Sequence, residues 1–321
     1  MEISTDKSLL VEVARLYYDH QMSQQQIAYR LGTSRPSVSR LLQQARDEGI
    51  VRIEIIDPTQ KGSQLEQSLK ERFQLHKVII VPSLKESDAQ IKNRLGQAAA
   101  RYLNELVYDG CTLGVSWGTT MCQVVSHMIP KSIKNMKVVQ IVGGITHGEF
   151  DPHASEIIQR ISENFKARSY LLLLPAIVDS VLVKQAMISD KKIKETIDIA
   201  RQADILLCSV GVFKSDSLMI QADYFDSQEV NYLNQLGAIG DICSRMIDSA
   251  GDICWPELDE RTVAIEMDDL KKTKYSIAIA GGEEKRDVIH AGLKGSYFNV
   301  LITDEGVAEY LLENENKITE K

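Results

Sequence analysis

The stretch Gly114-Val115-Ser116-Trp117-Gly118-Thr119-Thr120 places three hydroxyl side chains among glycines where an apolar run gives way to a helical pattern. Backbone N–H groups, hydroxyls and the positive end of a helix dipole together make an anion cradle, well suited to a phosphate. The stretch lacks the lysine of a P-loop, which argues against a nucleoside triphosphate. Taken alone, a tight turn with no ligand explains it equally well.

Three other places carry related chemistry. Gly143-Gly144, followed by Thr146 and His147, permits close backbone approach to a ligand, or simply a turn. Ala280-Gly281-Gly282 leads to Lys285 on the opening turn of a helix, where a lysine can close on a phosphate as a point charge; singly, a solvated lysine is the simpler reading. Asp241 sits between apolar neighbours in the stretch 237–243, and a carboxylate there needs partners. Sugar hydroxyls would serve, and so would an internal hydrogen bond. Three Gly-rich loops of this kind in one domain favour a phosphorylated small molecule.

From Lys77 onward, apolar runs alternate with amphipathic stretches, the pattern of an α/β domain with a mostly parallel sheet. Strands are predicted at 78–81, 112–115, 137–141, 170–174, 205–210, 276–280 and 299–302. Helices are predicted at 89–108, 119–128, 153–165, 192–202, 284–293 and 305–312, with a frayed polar tail from Glu313. In open parallel sheets, ligands bind beyond the carboxyl ends of the strands, where the loops above would lie.

The N-terminal part follows a different pattern. Leu9, Val13, Leu16 and Tyr17 make a short amphipathic helix. Ser23 and Gln26 form a capping-box pattern ahead of Ile27, Ala28 and Leu31; Ser34 and Pro36 then open a second helix with the stripe Val38, Leu41, Leu42, Ala45. This is a helix-turn-helix whose outer face carries Arg40 and Gln43, with Ser37 and Ser39 beside them. Between His20 and Arg46 stand Arg30, Arg35, Arg40 and Arg46 and no acidic residue, although the chain's formal charge is -8. Basic charge is concentrated where an acidic protein needs it to approach DNA. After Gly49, residues 51–55 alternate as a short strand, and Asp57-Pro58-Thr59 marks a boundary between a DNA-binding domain (1–57) and a larger α/β domain (58–321).

The 321 residues have the composition of a soluble globular protein, with no export signal and no membrane-length apolar run. The five cysteines have no C-x-x-C spacing and read as reduced core thiols of a cytosolic protein; the histidines show no metal-binding pattern. In the stripe Leu65, Leu69, Phe73, packing on its own domain is favoured over pairing with a second chain, because the stripe is too short for a heptad seam.

SRPSVSRLLQQARDEGIVRIEI, GVSWGTT, IGDICSR and IAIAGGEEK, in that order, resemble the SorC/DeoR-type sugar-responsive transcriptional regulators over nearly the whole chain. The resemblance implies an N-terminal helix-turn-helix and a Rossmann-like α/β effector domain similar to sugar-phosphate isomerase and deaminase folds. It also implies dimers or tetramers on palindromic operators. Residue by residue it implies Ser116, Gly118, Thr119 and Thr120 at a phosphate, Lys285 nearby and Asp241 at sugar hydroxyls. Gly143 and Gly144 are expected to line the same effector site. Ser37, Ser39, Arg40 and Gln43 would face the major groove and Arg35 a DNA phosphate. One departure matters: deoxyribose-5-phosphate-responsive relatives carry an imine-forming lysine just before the Gly-Gly pair, and this chain has Val142.

The expectation is therefore a cytosolic DNA-binding regulator, a repressor rather than an activator, that uses no cofactor. Its effector is a phosphorylated sugar such as deoxyribose-5-phosphate, bound non-covalently. The rival is a sugar-phosphate isomerase or deaminase in which Asp241, Glu149, His147 or Lys285 moves protons. An enzyme of that kind has no use for the basic N-terminal unit.

Overall fold

The structure, a computed structural model, describes residues 7–51, 60–82, 87–144, 153–215 and 217–319. It divides into two units, Met1–Thr59 and Gln60–Lys321.

In the first unit, α1 (Lys7–Tyr18), α2 (Gln24–Arg30) and α3 (Arg35–Asp47) enclose Val13, Leu16, Ile27, Ala28, Val38 and Leu42. Both caps form as the local sequence predicts. Gln26 N–H donates to Ser23 Oγ at 3.3 Å while Gln26 Oε1 accepts from Ser23 N–H at 2.9 Å. Ser34 Oγ accepts from Ser37 N–H at 3.3 Å, with Pro36 in the first turn of α3. These bonds satisfy backbone donors that have no partner within the helix, each cap being worth about 1 kcal/mol. The strand expected at 51–55 lies outside the described residues from Arg52 onward, as does the boundary Asp57-Pro58-Thr59.

The second unit runs α4 (Gln60–Arg72), β1 (Lys77–Val81), α5 (Asp88–Leu106), β2 (Thr112–Val115), α6 (Thr119–Ser126), β3 (Lys137–Gln140), α7 (Ala154–Phe165) and β4 (Arg168–Tyr170). It continues α8 (Val181–Ser189), α9 (Lys191–Arg201), β5 (Ile205–Cys208), β6 (Val210–Val212), α10 (Leu218–Gln221), α11 (Ser227–Gln235), β7 (Gly240–Ile242) and β8 (Arg245–Ile247). The last elements are α12 (Pro256–Arg261), α13 (Met267–Lys272), β9 (Tyr275–Ile279), α14 (Arg286–Lys294), β10 (Val300–Asp304) and α15 (Glu305–Thr319).

Seven parallel strands form one sheet in the order β1-β10-β9-β5-β2-β3-β4. Successive side chains of a strand point to opposite faces, and β5 shows it: Ile205 and Leu207 enter the core under α5, α6 and α7, whereas Leu206 and Cys208 enter the core on the other face. Burial on both faces explains why these strands read as unbroken apolar runs. Leu69 is fully buried in the second of those cores and Phe73 packs against it, so the stripe on α4 covers its own domain.

Three expectations need correction. The apolar run 170–174 is not a strand beyond Tyr170: Leu172 N–H donates to the Gln140 side chain, and Leu172 and Leu174 turn into a satellite cluster with Val178 and Val263. The run 205–210 is two strands, because at Ser209 the chain leaves the parallel sheet and enters a small antiparallel sheet, β6-β7-β8. The tail beyond Glu313 is helical to Thr319. Arg245 on β8 is fully buried, its guanidinium bonded to Asp259, to Glu266 and to the Ile265 carbonyl, which straps the small sheet to the segment 259–266. All five cysteines are free.

Candidate functional site

The strand order reverses between β2 and β5, since the chain runs outward through β3 and β4 before returning to the middle of the sheet. Such a switch point leaves a crevice beyond the carboxyl ends of the strands. A cleft of about 700 Å³ lies there, lined by Ser116, Gly118, Thr119 and Thr120 from the β2–α6 loop, Lys285 from the turn after β9, and Asp241 from β7.

The β2–α6 loop is built to receive a group. Gly118 adopts φ 119, a conformation that side chains rarely allow, and caps α6 without any side-chain bond. Ser116 N–H is used by the Leu207 carbonyl at 2.9 Å, whereas Ser116 Oγ is buried in the cleft wall with no hydrogen-bond partner. A buried hydroxyl left unpaired costs about 1–3 kcal/mol. An acceptor in the cleft would remove that penalty.

On the facing side, Lys285 Nζ donates to Ser209 Oγ at 3.4 Å. Burial, aided by the nearby Lys92 ammonium, pulls the Lys285 pKa down to about 8. Asp241 Oδ2 accepts from Ser244 N–H at 3.0 Å, so the internal hydrogen bond foreseen as the alternative does exist; burial nevertheless raises its pKa, while Ser244 N–H and Lys285 pull it back. Asp304 sets the third glycine loop, accepting from Gly282 N–H at 2.6 Å and from Val307 N–H at 3.2 Å.

Gly143 and Gly144 do not line the cleft. A Cβ on Gly143 would collide with the Pro175 backbone, and one on Gly144 with Ala154, so this glycine pair answers the packing of the segment 174–175 on one side and of α7 on the other. Val142, just before them, does reach the cleft and offers it hydrocarbon. Thr146, His147 and Glu149 lie outside the described residues. Sequence reasoning missed Asp88, Lys92, Ser209, Lys214 and Asp304, which all line the cleft from elements distant in the chain. No local spacing marks them; only the strand order brings them together. Trp117 adds a role that its sequence position does not signal: its indole N–H donates to the Gly143 carbonyl at 2.9 Å, tying the first loop to the glycine pair.

In the helix-turn-helix unit, Arg35, Ser39 and Arg40 are exposed on α3. Ser37 is half-buried and its hydroxyl shares a 2.8 Å bond with Ser34 Oγ, so it serves the cap. Gln43 is exposed but held on its own helix: its amide donates to Asp47 at 2.8 Å and accepts from Arg46 at 2.8 Å.

Comparison with known proteins decides what the two units are. Residues 57–313 match the family model of a sugar-binding domain, and residues 8–60 that of a Crp-like helix-turn-helix domain. This chain belongs to the sugar-binding transcriptional regulators. It is 40% identical to the deoxyribonucleoside regulator of Bacillus subtilis (strain 168), over 96% of this chain and 98% of that protein. It is 33% identical to the sorbitol operon regulator of Klebsiella pneumoniae, over 98% of this chain and 100% of that protein. The crystal structure of that full-length sorbitol operon regulator superposes with a TM-score of 0.81, at 32% identity, covering 97% of this chain and all of that one. This member of the family therefore pairs a helix-turn-helix DNA-binding unit with a parallel-sheet sugar-binding domain. Among the described residues no helix is long and apolar enough to cross a membrane.

Proposed function

We propose that this regulator is a cytoplasmic repressor of genes for sugar or deoxyribonucleoside catabolism, released or tightened on its operator by a phosphorylated sugar bound non-covalently in the cleft. The observation that carries the reading is the unpaired, buried Ser116 hydroxyl on a loop that also presents the N-terminus of α6, with a basic side chain, Lys285, lining the same cleft. Ser116, Gly118, Thr119 and Thr120 hold the phosphate; Lys285 adds charge; Asp241 accepts from sugar hydroxyls. Arg40 and Ser39 read bases, Arg35 holds a DNA phosphate, and Ser37 and Gln43 shape the reading face through the bonds described. With Val142 in place of an amine, the glycine-pair side of the cleft offers no imine.

The protein acts as a homo-oligomer and not as an enzyme. For the effector to switch anything, it must bind the DNA-competent and DNA-incompetent states with different affinity. A thermal-shift screen against sugar phosphates and their unphosphorylated parents tests the reading, because a ligand that prefers the folded state raises its Tm. A shift confined to a phosphorylated sugar is expected. Equal shifts with the parent sugars would remove the phosphate from the site, and turnover of ribose-5-phosphate or glucosamine-6-phosphate would make the protein an enzyme.

A further inference from the structure

Helix α5 is wedged between two of the loops that line the cleft. A Cβ on Gly96 would overlap the Gln123 backbone of α6, and Asn93 Nδ2 donates to Gln123 Oε1 at 3.3 Å, so one face of α5 lies on α6. Both helices return against strands of one parallel sheet and therefore run side by side in the same direction. One turn nearer their N-termini stand Lys92 and Thr119, and both line the cleft. The neighbouring face of α5 meets the third glycine loop: a Cβ on Gly281 would stand 3.0 Å from a Leu95 methyl, and one on Gly282 3.7 Å from Asp88 Oδ1. Lys92 thus enters the cleft between the loop that carries Ser116 and the loop that leads to Lys285. Its side chain is 23% exposed, and its ammonium lies 2.5 Å from Oδ2 of Asp88, whose side chain is 64% exposed.

We infer that Lys92 is a phosphate-binding residue of this cleft, held by Asp88 while the cleft is free and released to a phosphomonoester dianion that enters between Lys92 and Lys285. The two ammonium groups repel each other in the free protein: burial first and the Lys92 charge second pull the Lys285 pKa down. An anion between them removes that repulsion. Asp88 is the acceptor that Lys92 can exchange, because an ion pair one turn apart on an exposed helix face contributes little. Lys214, by contrast, is engaged by Glu284 at 2.6 Å, and Asp241 and Asp304 are committed to backbone N–H groups. A dianion in the cleft would also meet the N-terminus of α6 and the unpaired Ser116 hydroxyl, giving charge-assisted bonds in a drier place than the surface pair. A carboxylate monoanion brings no more charge than Asp88 already supplies, so the exchange selects a phosphomonoester. The inference rests on the proposed phosphate site at 116–120 and supplies from α5 the lysine that this loop lacks.

The test is titration of the full-length protein with inorganic phosphate at constant ionic strength, read by the rise in Tm, for the wild type, Lys92→Gln, Asp88→Asn and the double variant. Lys92→Gln should weaken phosphate binding about tenfold or more, the loss of a hydrogen bond to a charged group. Asp88→Asn should tighten it about two- to fivefold, because the ammonium then gives up no ion pair. The double variant should bind like Lys92→Gln, since the gain from Asp88→Asn passes through the lysine. A pair that merely stabilises α5 has a different signature: both single variants lower the Tm of the free protein and neither moves the affinity. That result overturns the inference. Thr120→Val separates it from the phosphate site itself. If Thr120→Val weakens binding and Lys92→Gln does not, the site stands and the role of Lys92 falls; if the wild type takes up no phosphate, or neither variant alters binding, both fall. Should Lys92→Gln lose its far-UV circular dichroism, Asp88→Asn must still tighten binding, and Lys92→Arg, which keeps the charge, must still support it, for the inference to survive.

Discussion

Gly211 and Asp241 face each other across the antiparallel pair β6–β7, with no room for a single carbon between them: a Cβ on Gly211 would run into Asp241 Oδ1. The carboxylate is therefore placed by the absence of a side chain on the neighbouring strand. Gly211→Ala should push Asp241 out of register with the cleft and lower effector affinity at least tenfold, about 1.4 kcal/mol. Isothermal titration checks it; an unchanged Kd would separate Asp241 from the ligand.

Ser116→Ala distinguishes a binding role from a structural one. Its hydroxyl is buried and unpaired in the free protein, so removing it should leave the Tm of the unliganded chain unchanged or slightly higher. If a phosphate oxygen accepts from it, effector affinity falls by about 1.5–3 kcal/mol, the range for a hydrogen bond to a charged group. Thr120→Val, at a buried position lining the same cleft, should behave alike. A fall in unliganded Tm with unaltered affinity would make both residues structural.

Effector binding should weaken as the pH rises through about 8. The Lys285 pKa is lowered to about 8, so its ammonium is present at neutral pH and lost above that value, while a sugar phosphate keeps its full charge. The sign for stability is the opposite. Between about 8 and its ordinary value the unfolded chain holds a proton that the folded chain has lost, so this group raises folding stability with pH across that window. Titrations at pH 7 and 9, with and without Lys285→Met, test the first statement; the variant should lose the pH dependence.

Arg40→Ala should weaken operator binding by about 1–3 kcal/mol and leave the effector's Kd intact, since Arg40 is exposed on α3 within the N-terminal unit. Electrophoretic or fluorescence binding assays at fixed salt read the first quantity. If specific and non-specific DNA lose affinity equally, Arg40 holds the backbone and reads no base.

The N-terminal unit was legible from the chain alone because its signals are local. Ser23 with Gln26, and Ser34 with Pro36, act within one helical turn, and the stripe of Val38, Leu42 and Ala45 repeats at helical spacing. The central strands were legible for the related reason that burial on both faces leaves an unbroken apolar run. What escaped is what depends on distant packing. The three-residue strands β6, β7 and β8 are too short to show alternation. The run 170–174 carries strand-like apolarity because Leu172 and Leu174 serve a satellite cluster while Leu171 and Leu173 stay exposed. Gly143 and Gly144 carried a ligand-like signature, but their missing side chains make room for Pro175 and Ala154. Asp88, Lys92 and Ser209 reach the cleft only through the strand order.

Only Ser209 separates β5, in the parallel sheet, from β6, in the small antiparallel sheet, and it is also the residue that Lys285 touches. A single residue gives no slack. A ligand that drew the lysine away from that hydroxyl would act on the one residue joining the two sheets, and the smaller sheet is clamped at Arg245. The segment 259–266 is thus tied through Arg245 to a sheet that hangs on the same residue the cleft lysine holds.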